Sequence, residues 1–185
     1  MNPKEVLKGS RIKLERARQT FEEAYERYTI VDNNRDHILP WLDWAMPSIT
    51  KAPEDCYAFL IGANKGWDDG DKYEYTIKEN ASDKIIGGLG VMKRGRTLDK
   101  HFEIGFWLAK DACSKGYMQE AVKLVEDEFF ALGIKRLVIC NEVKNIKSRN
   151  VGLSLGYEFE GMKKSSRYSE SLEDFMDINV YAKIF

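Results

Sequence analysis

The sequence is poor in the residues that build metal centres and covalent frameworks. Its 185 residues include only two histidines, His37 and His101, too few for a histidine-based metal site, so no metal is expected. Cys56, Cys113 and Cys140 are odd in number and lack metal-type spacing, and they read as reduced thiols of a cytoplasmic protein. No apolar run approaches the length of a membrane span, and residues 1–21 are charged throughout, without the apolar stretch of a secretion signal. Basic excess is missing too. Lys and Arg number 29 against 30 Asp and Glu, for a net charge of -1, so direct nucleic-acid binding is not supported. Repeats and linkers are absent, and residues 1–185 read as one domain with room for a sizeable core. Neither common phosphate fingerprint, G-x-x-x-x-G-K-[ST] or G-x-G-x-x-G, occurs.

What is present centres on residues 102–133. Phe102 to Leu108 is a short aromatic-rich apolar run, predicted as a buried strand. A polar loop, Lys110 to Lys115, follows. From Gly116 the apolar residues Ala121, Leu124, Val125, Phe129 and Leu132 share one helical stripe, and Gly133 stops it. The first amides of a helix point outward unpaired, with partial positive charge, so this strand, loop and helix suit a phosphate group. A plain strand-to-helix turn, with Gly116 serving only close packing, is the competing reading.

Along the rest of the chain, Arg11 to Glu15 alternates as an opening edge strand, and Gln19 to Tyr28 reads as a helix. Asn33 to Asp36 offers caps for a second helix through Leu42, with Pro40 near its first turn and Trp41 and Trp44 on one face. Those tryptophans suit either core packing or the apolar wall of a substrate cleft. Pro53 starts a helix reaching towards Trp67, and Asp68 to Asp71 is a turn. Tyr73, Tyr75 and Ile77 alternate as a strand, Asn80 to Asp83 turns, and Ile85 to Met92 is a strand with three glycines, which suggest bulges or close backbone approach. Arg94 to Lys100 turns the chain back. After residue 133 come a buried strand at 136–140, a helix from Asn145 closed by Gly156, and strands at 157–161 and 175–184. The sum is an α/β fold with a mixed, mostly antiparallel sheet, in which the strands at 102–108 and 135–141 run parallel around a crossover. Ligands of such sheets bind at the carboxyl ends of strands around a crossover.

Two stretches carry a family resemblance. Glu103-Ile-Gly-Phe-Trp-Leu followed by Ser-Lys-Gly-Tyr-Met-Gln-Glu-Ala resembles the acetyl-CoA-binding segment of the GNAT N-acetyltransferases. Asn145-Ile-Lys-Ser, then Leu-Gly-Tyr-Glu-Phe-Glu-Gly161, resembles that superfamily's Asn-x-x-Ser, Leu-Gly-Phe and Glu-Gly pattern. The closest subgroup acts on the N-terminal alanine or serine of ribosomal proteins; its members also begin like Gly9 to Leu14 and carry a segment like Ile38 to Trp44. The family loop usually reads Arg or Gln, then Gly, x, Gly, where this chain has Cys113, Ser114, Lys115 and Gly116. Ser114 is expected to keep the loop's geometry only if its backbone avoids positive φ. Gln119 stands where threonine is common, and Tyr157 where phenylalanine is.

The resemblance implies acetyl-CoA as co-substrate and a primary amine, such as a protein's N-terminal α-amino group, as acceptor, with direct attack on the thioester. It gives the pyrophosphate to the amides of Ser114, Lys115, Gly116, Tyr117 and Met118, beside Cys113. The pantetheine arm would pair with the strand edge at Trp107 and Leu108, and Asn145 would add a side-chain bond. For the base, Glu103 is a carboxylate within an apolar strand, where burial would raise its pKa; an outward-facing carboxylate paired with a lysine is the alternative. Ser148 is the candidate donor to the departing thiolate, with Tyr157 and Tyr168 in reserve. Trp41, Trp44 and Tyr168 are the candidate acceptor contacts. A small-molecule acetyltransferase, a non-catalytic acyl-CoA-binding module and a nucleotide-binding scaffold remain open.

Overall fold

Side chains that alternate in the sequence fall on opposite faces of one sheet. A computed structural model describes residues 2–95 and 100–185, so the turn expected at 94–100 lies in part outside the described residues. The strands are β1 (Val6–Lys8), β2 (Ile12–Arg16), β3 (Lys72–Glu79), β4 (Ile85–Arg94), β5 (His101–Leu108), β6 (Arg136–Glu142), β7 (Glu158–Ser169) and β8 (Asp174–Ile184). The helices are α1 (Phe21–Asn33), α2 (Arg35–Ile38), α3 (Pro53–Asp69), α4 (Tyr117–Ala131) and α5 (Ile146–Ser154). Among the described residues the sheet order is β1-β2-β3-β4-β5-β6-β8-β7, and β5 and β6 are its only parallel neighbours.

Two expectations need correction. The strand at 12–16 is not an edge: Val6 to Lys8 pairs along its outer side, a strand too short to announce itself by alternation. The second helix does not run to Leu42 but ends at Ile38, two residues ahead of Pro40, whose ring and missing N–H oppose continuation. A single 3-10 turn, Asp43–Ala45, carries Trp44, so Trp41 and Trp44 do not share a helical face.

Register places the site. On one face of the sheet Tyr73, Tyr75, Ile77, Leu89, Val91, Phe102 and Ile104 pack with Val125 and Phe129 of α4. The other face is set by three cross-strand rows: Lys72, Met92 and Glu103; Glu74, Gly90 and Gly105; Thr76, Gly88 and Trp107. Arg27 of α1 bonds to Thr76 and Glu74 on this side, and Trp107 packs against Val31, Ile38 and Ala45.

Candidate active site

The parallel pairing of β5 with β6 lasts four residues, His101 to Ile104 against Arg136 to Ile139. Beyond it the strands part. Both lips of the gap, Gly105 to Leu108 and Cys140 to Glu142, line a cavity of about 960 Å³. The inner edge of β5 therefore offers backbone groups without a strand partner, and such groups seek a ligand's amides. Four-residue pairing in a sheet of long strands follows from the crossover: α4 packs beneath β5 through Met118, Ala121, Val122 and Val125, while β6 leaves to pair with β8 along its full length.

At the end of β5 the loop turns into α4. Gly116 is the helix N-cap, in the left-handed region at φ +79. Ser114 also takes positive φ, +62, the region it was expected to have to avoid if the loop was to keep its geometry. The loop thus keeps a geometry suited to glycine, at a cost of about 1 kcal/mol for a residue with Cβ. Cys113, Ser114, Gly116, Tyr117 and Met118 line the cavity, as do Trp107 and Leu108. Lys115 does not; it lines a separate cavity with Lys84 and Lys110. Cys113 sits with its Sγ 3.3 Å from His37 Nε2 and donates to the Ala109 carbonyl. Burial pushes its thiol upward, and burial together with Lys147 and Lys110 pushes the His37 imidazole down.

Across the gap, Asn145 caps α5: its Oδ1 accepts from Ser148 N at 3.1 Å. Asn145 thus serves as the cap of α5 while also lining the cavity. Ser148, in the first turn of α5, lines the cavity. Tyr157 does not, and it is out of reach as the acid expected of it: it is 2% exposed, and burial, with Glu126 beside it, pushes its phenol far up. Tyr168 is likewise outside the lining. Strand alternation turns it away from Arg167, and it stacks on Phe175 at 48% exposure.

Glu103 lines the cavity but is neither deeply buried nor unpaired. Its side chain is 23% exposed, and Arg94 Nε donates to Oε2 at 3.0 Å. Cys140 lies beside it; burial, then the Glu103 charge, pushes that thiol up to about 11. The sequence reading missed a second carboxylate. Glu74 reaches over Gly90 so closely that a Cβ there would meet its Oε2 at 2.7 Å, and its cationic partners are loose, with Arg27 Nη2 at 3.5 Å and Lys72 Nζ at 3.7 Å. Arg27 is 4% exposed and itself held by Glu23 of the preceding helical turn. The signal was present: of the three glycines in β4, Gly88 and Gly90 share the face that leaves room for something above them. Gly88 admits the Trp107 indole in the same way, with Nε1 2.7 Å from a built Cβ.

The roof is a segment pinned from two sides. Trp44 packs edge-on against Trp107 at 5.8 Å, and Trp41 and Trp44 both line the cavity. Arg167 donates to the Trp41 carbonyl at 2.9 Å, and the Ser169 and Ser171 hydroxyls donate to Asp43 at 2.9 and 3.0 Å. Burial works to raise the Asp43 carboxyl, but these bonds and the Arg167 charge leave it below the usual range.

This geometry has a counterpart among known proteins. Residues 11–158 match the family described as the acetyltransferase (GNAT) domain. The chain belongs to the GNAT acetyltransferase family. The fold and enzyme class expected from residues 103–161 are borne out. Among GNAT relatives, the ribosomal-protein-serine acetyltransferase of Escherichia coli (strain K12) is 27% identical over 158 residues, covering 85% of this chain and 84% of that one. A putative ribosomal N-acetyltransferase of Bacillus subtilis (strain 168), YdaF, is 36% identical over 72 residues, 38% of this chain and 39% of that one. Two solved structures share the fold throughout. RimL, a ribosomal L7/L12 alpha-N-protein acetyltransferase in complex with coenzyme A, superposes with a TM-score of 0.88 at 23% identity over 98% of each chain. The microcin C7 self-immunity acetyltransferase MccE, in complex with acetyl-CoA and AMP, gives 0.86 at 23% identity over 96% of this chain and 94% of that one. No group of His, Cys, Asp and Glu among the described residues could hold a metal ion, and no described helix is long and apolar enough to cross a membrane.

Proposed function

We propose that this chain moves the acetyl group of acetyl-CoA to the N-terminal α-amino group of a protein, with ribosomal proteins as the acceptor class. The observation that carries this reading is one continuous cavity. It joins the gap between β5 and β6, the amides that open α4, and a roofed trough with a glycine floor. The pantetheine arm fits the unpaired edge of β5 from Gly105 to Leu108 as a surrogate strand, and the pyrophosphate fits the loop at 113–118. The acceptor then enters under Trp41 and Trp44, over Gly90 and Gly105, to meet the thioester where the strands part. A backbone amide of β5 in the gap supplies the fixed donor that stabilises the oxyanion. Coenzyme A leaves as thiolate, and Ser148 is the hydroxyl that α5 contributes to the lining to serve it.

The amine must lose a proton on attack. Glu103 and Glu74 both border the trough, and the reading keeps Glu103 as base with Glu74 as the second candidate. Relatives named for ribosomal proteins and an apolar rim of exposed Trp44, Ile49 and Phe59 favour a protein acceptor over a small free amine. The test is an acetylation panel: peptides with free serine or alanine N-termini, the same peptides with blocked N-termini, and small amines. Turnover confined to free peptide N-termini supports the proposal; turnover of small amines alone sinks the acceptor assignment. Glu103→Gln is expected to lower kcat by roughly 10²–10⁴ and flatten the acidic limb of the pH–rate profile, with coenzyme A affinity kept. If Glu74→Gln does this and Glu103→Gln does not, the base is Glu74.

A further inference from the structure

The amides that would hold the pyrophosphate are fixed from behind by a residue outside the loop. Arg11, just ahead of β2, donates from Nη1 to the Lys115 carbonyl at 2.7 Å and from Nη2 to the Gly116 carbonyl at 3.2 Å. Its Nε donates to Glu120 Oε2 at 2.9 Å, and its backbone N donates to Glu120 Oε1 at 2.9 Å. Ser10 Oγ adds a third bond to that carboxylate at 3.1 Å. The guanidinium also lies 5.1 Å from the Tyr117 ring centroid, and the Tyr117 hydroxyl donates to Glu79 Oε1 at 2.8 Å. All five N–H groups of arginine sit on one rigid fork, so these contacts set the angle between loop and helix as well as their distance.

A trans peptide is planar, with its N–H pointing opposite to its C=O. Gripping the Lys115 carbonyl therefore aims the Gly116 N–H, and gripping the Gly116 carbonyl aims the Tyr117 N–H. Both are directed away from Arg11, and both belong to the unpaired start of α4, whose residues line the cavity. The loop's own side chains do not perform this service: Cys113 is engaged with His37 and the Ala109 carbonyl. Ser114 and Gly116 both hold positive φ, a conformation the loop would otherwise leave readily.

We infer that Arg11 is the positioning residue of the phosphate-binding loop, acting from just ahead of strand β2 by holding the Lys115 and Gly116 carbonyls so that the amides of Gly116 and Tyr117 converge on the pyrophosphate of the acetyl donor. This rests on the proposed acetyl-CoA reading. It implies that the N-terminal strands, remote in sequence from the loop, set donor affinity while leaving the chemistry at the thioester alone. Arg11 does not touch the donor; it orders what does.

The test compares two donors with the same thioester, acetyl-CoA and S-acetylpantetheine, which lacks the pyrophosphate. For the unsubstituted protein, Arg11→Ala and Arg11→Lys, kcat/KM is measured for each donor with an acceptor peptide. The ratio of the two values does not depend on how much of a preparation is folded. Both variants should lower the acetyl-CoA to S-acetylpantetheine ratio by about tenfold, because lysine keeps the charge but cannot span two carbonyls and a carboxylate. kcat at saturating acetyl-CoA should hold. Calorimetric Kd for coenzyme A should weaken by the same factor, and this readout needs no acceptor. An unchanged ratio, an equal loss with both donors, or an unchanged coenzyme A Kd overturns the inference. If Arg11→Ala does not fold, Arg11→Lys decides alone. If the unsubstituted protein binds coenzyme A but acetylates no peptide, the acceptor proposal has failed and calorimetry still decides the role of Arg11.

Discussion

Single residues in the loop carry consequences that the sequence leaves hidden. Ser114 looks like a departure that would spoil a glycine-tuned turn, yet it adopts φ +62 and keeps the turn. Ser114→Gly should relieve about 1 kcal/mol of backbone strain, largely offset by the greater freedom of glycine in the unfolded chain. Melting should therefore move little, and coenzyme A should bind as well or better. Gly116→Val should behave oppositely. Its φ of +79 suits no branched residue, and a Cβ would press within 3.2 Å of Arg11 Nη2. Coenzyme A titrations should show a loss several times that of any change at Ser114; equal losses would mean the loop does not meet the pyrophosphate. His37 gives a pH test. Its pKa is lowered from 6.5 by burial and by Lys147 and Lys110. The fold thus favours the neutral ring, so its contribution is fully present above about pH 6.5 and is lost as pH falls through the lower folded value. An NMR titration should give a midpoint below 6.5, and His37→Gln should flatten the acid-side decline of stability. A midpoint at or above 6.5 removes the argument.

At the scale of elements, legibility followed periodicity. Tyr73, Tyr75 and Ile77 mark β3 by strict alternation, and Ala121, Val125 and Phe129 mark α4 by their stripe. Glycine marked ends well at Gly133 and Gly156. Three kinds of feature escaped. A three-residue strand such as Val6–Lys8 has too few positions to alternate. The segment around Pro40 has apolar content but no room for a helix. On α1, Glu23 and Arg27 occupy core-facing positions one turn apart, because their partners Thr76 and Glu74 come from a strand some fifty residues away. The site was read in the same proportion: local motif residues at 107–118 and 145–148 were visible, whereas Glu74 and Arg11 depend on tertiary register. Helix α5 offers a test at this scale. It buries only Val151 and Gly152, so its start depends on the Asn145 cap. Asn145→Ala should cost about 1 kcal/mol in denaturant melts and lower kcat by displacing Ser148. An unchanged stability would show that the start of α5 does not depend on this cap.

For the whole molecule, donor binding and folding are linked. A ligand that binds only the native state adds roughly 2.7 kcal/mol at a hundredfold excess over its Kd, so saturating acetyl-CoA should raise Tm clearly. Absence of any shift would count against the proposed function. The short parallel seam of β5 and β6 adds a further consequence. It makes the sheet two panels, β1 to β5 and β6 to β8, whose strands are stitched by four residue pairs and part along the opening. A pantetheine arm laid into that opening would act as a ninth strand supplied from solution. Those amides of residues 105–108 and 140–142 that face the gap, rather than β4 or β8, should then exchange quickly in the empty enzyme and slowly in the donor complex. The acceptor would find its trough squared up only after the donor has closed the seam, which predicts ordered addition with acetyl-CoA first.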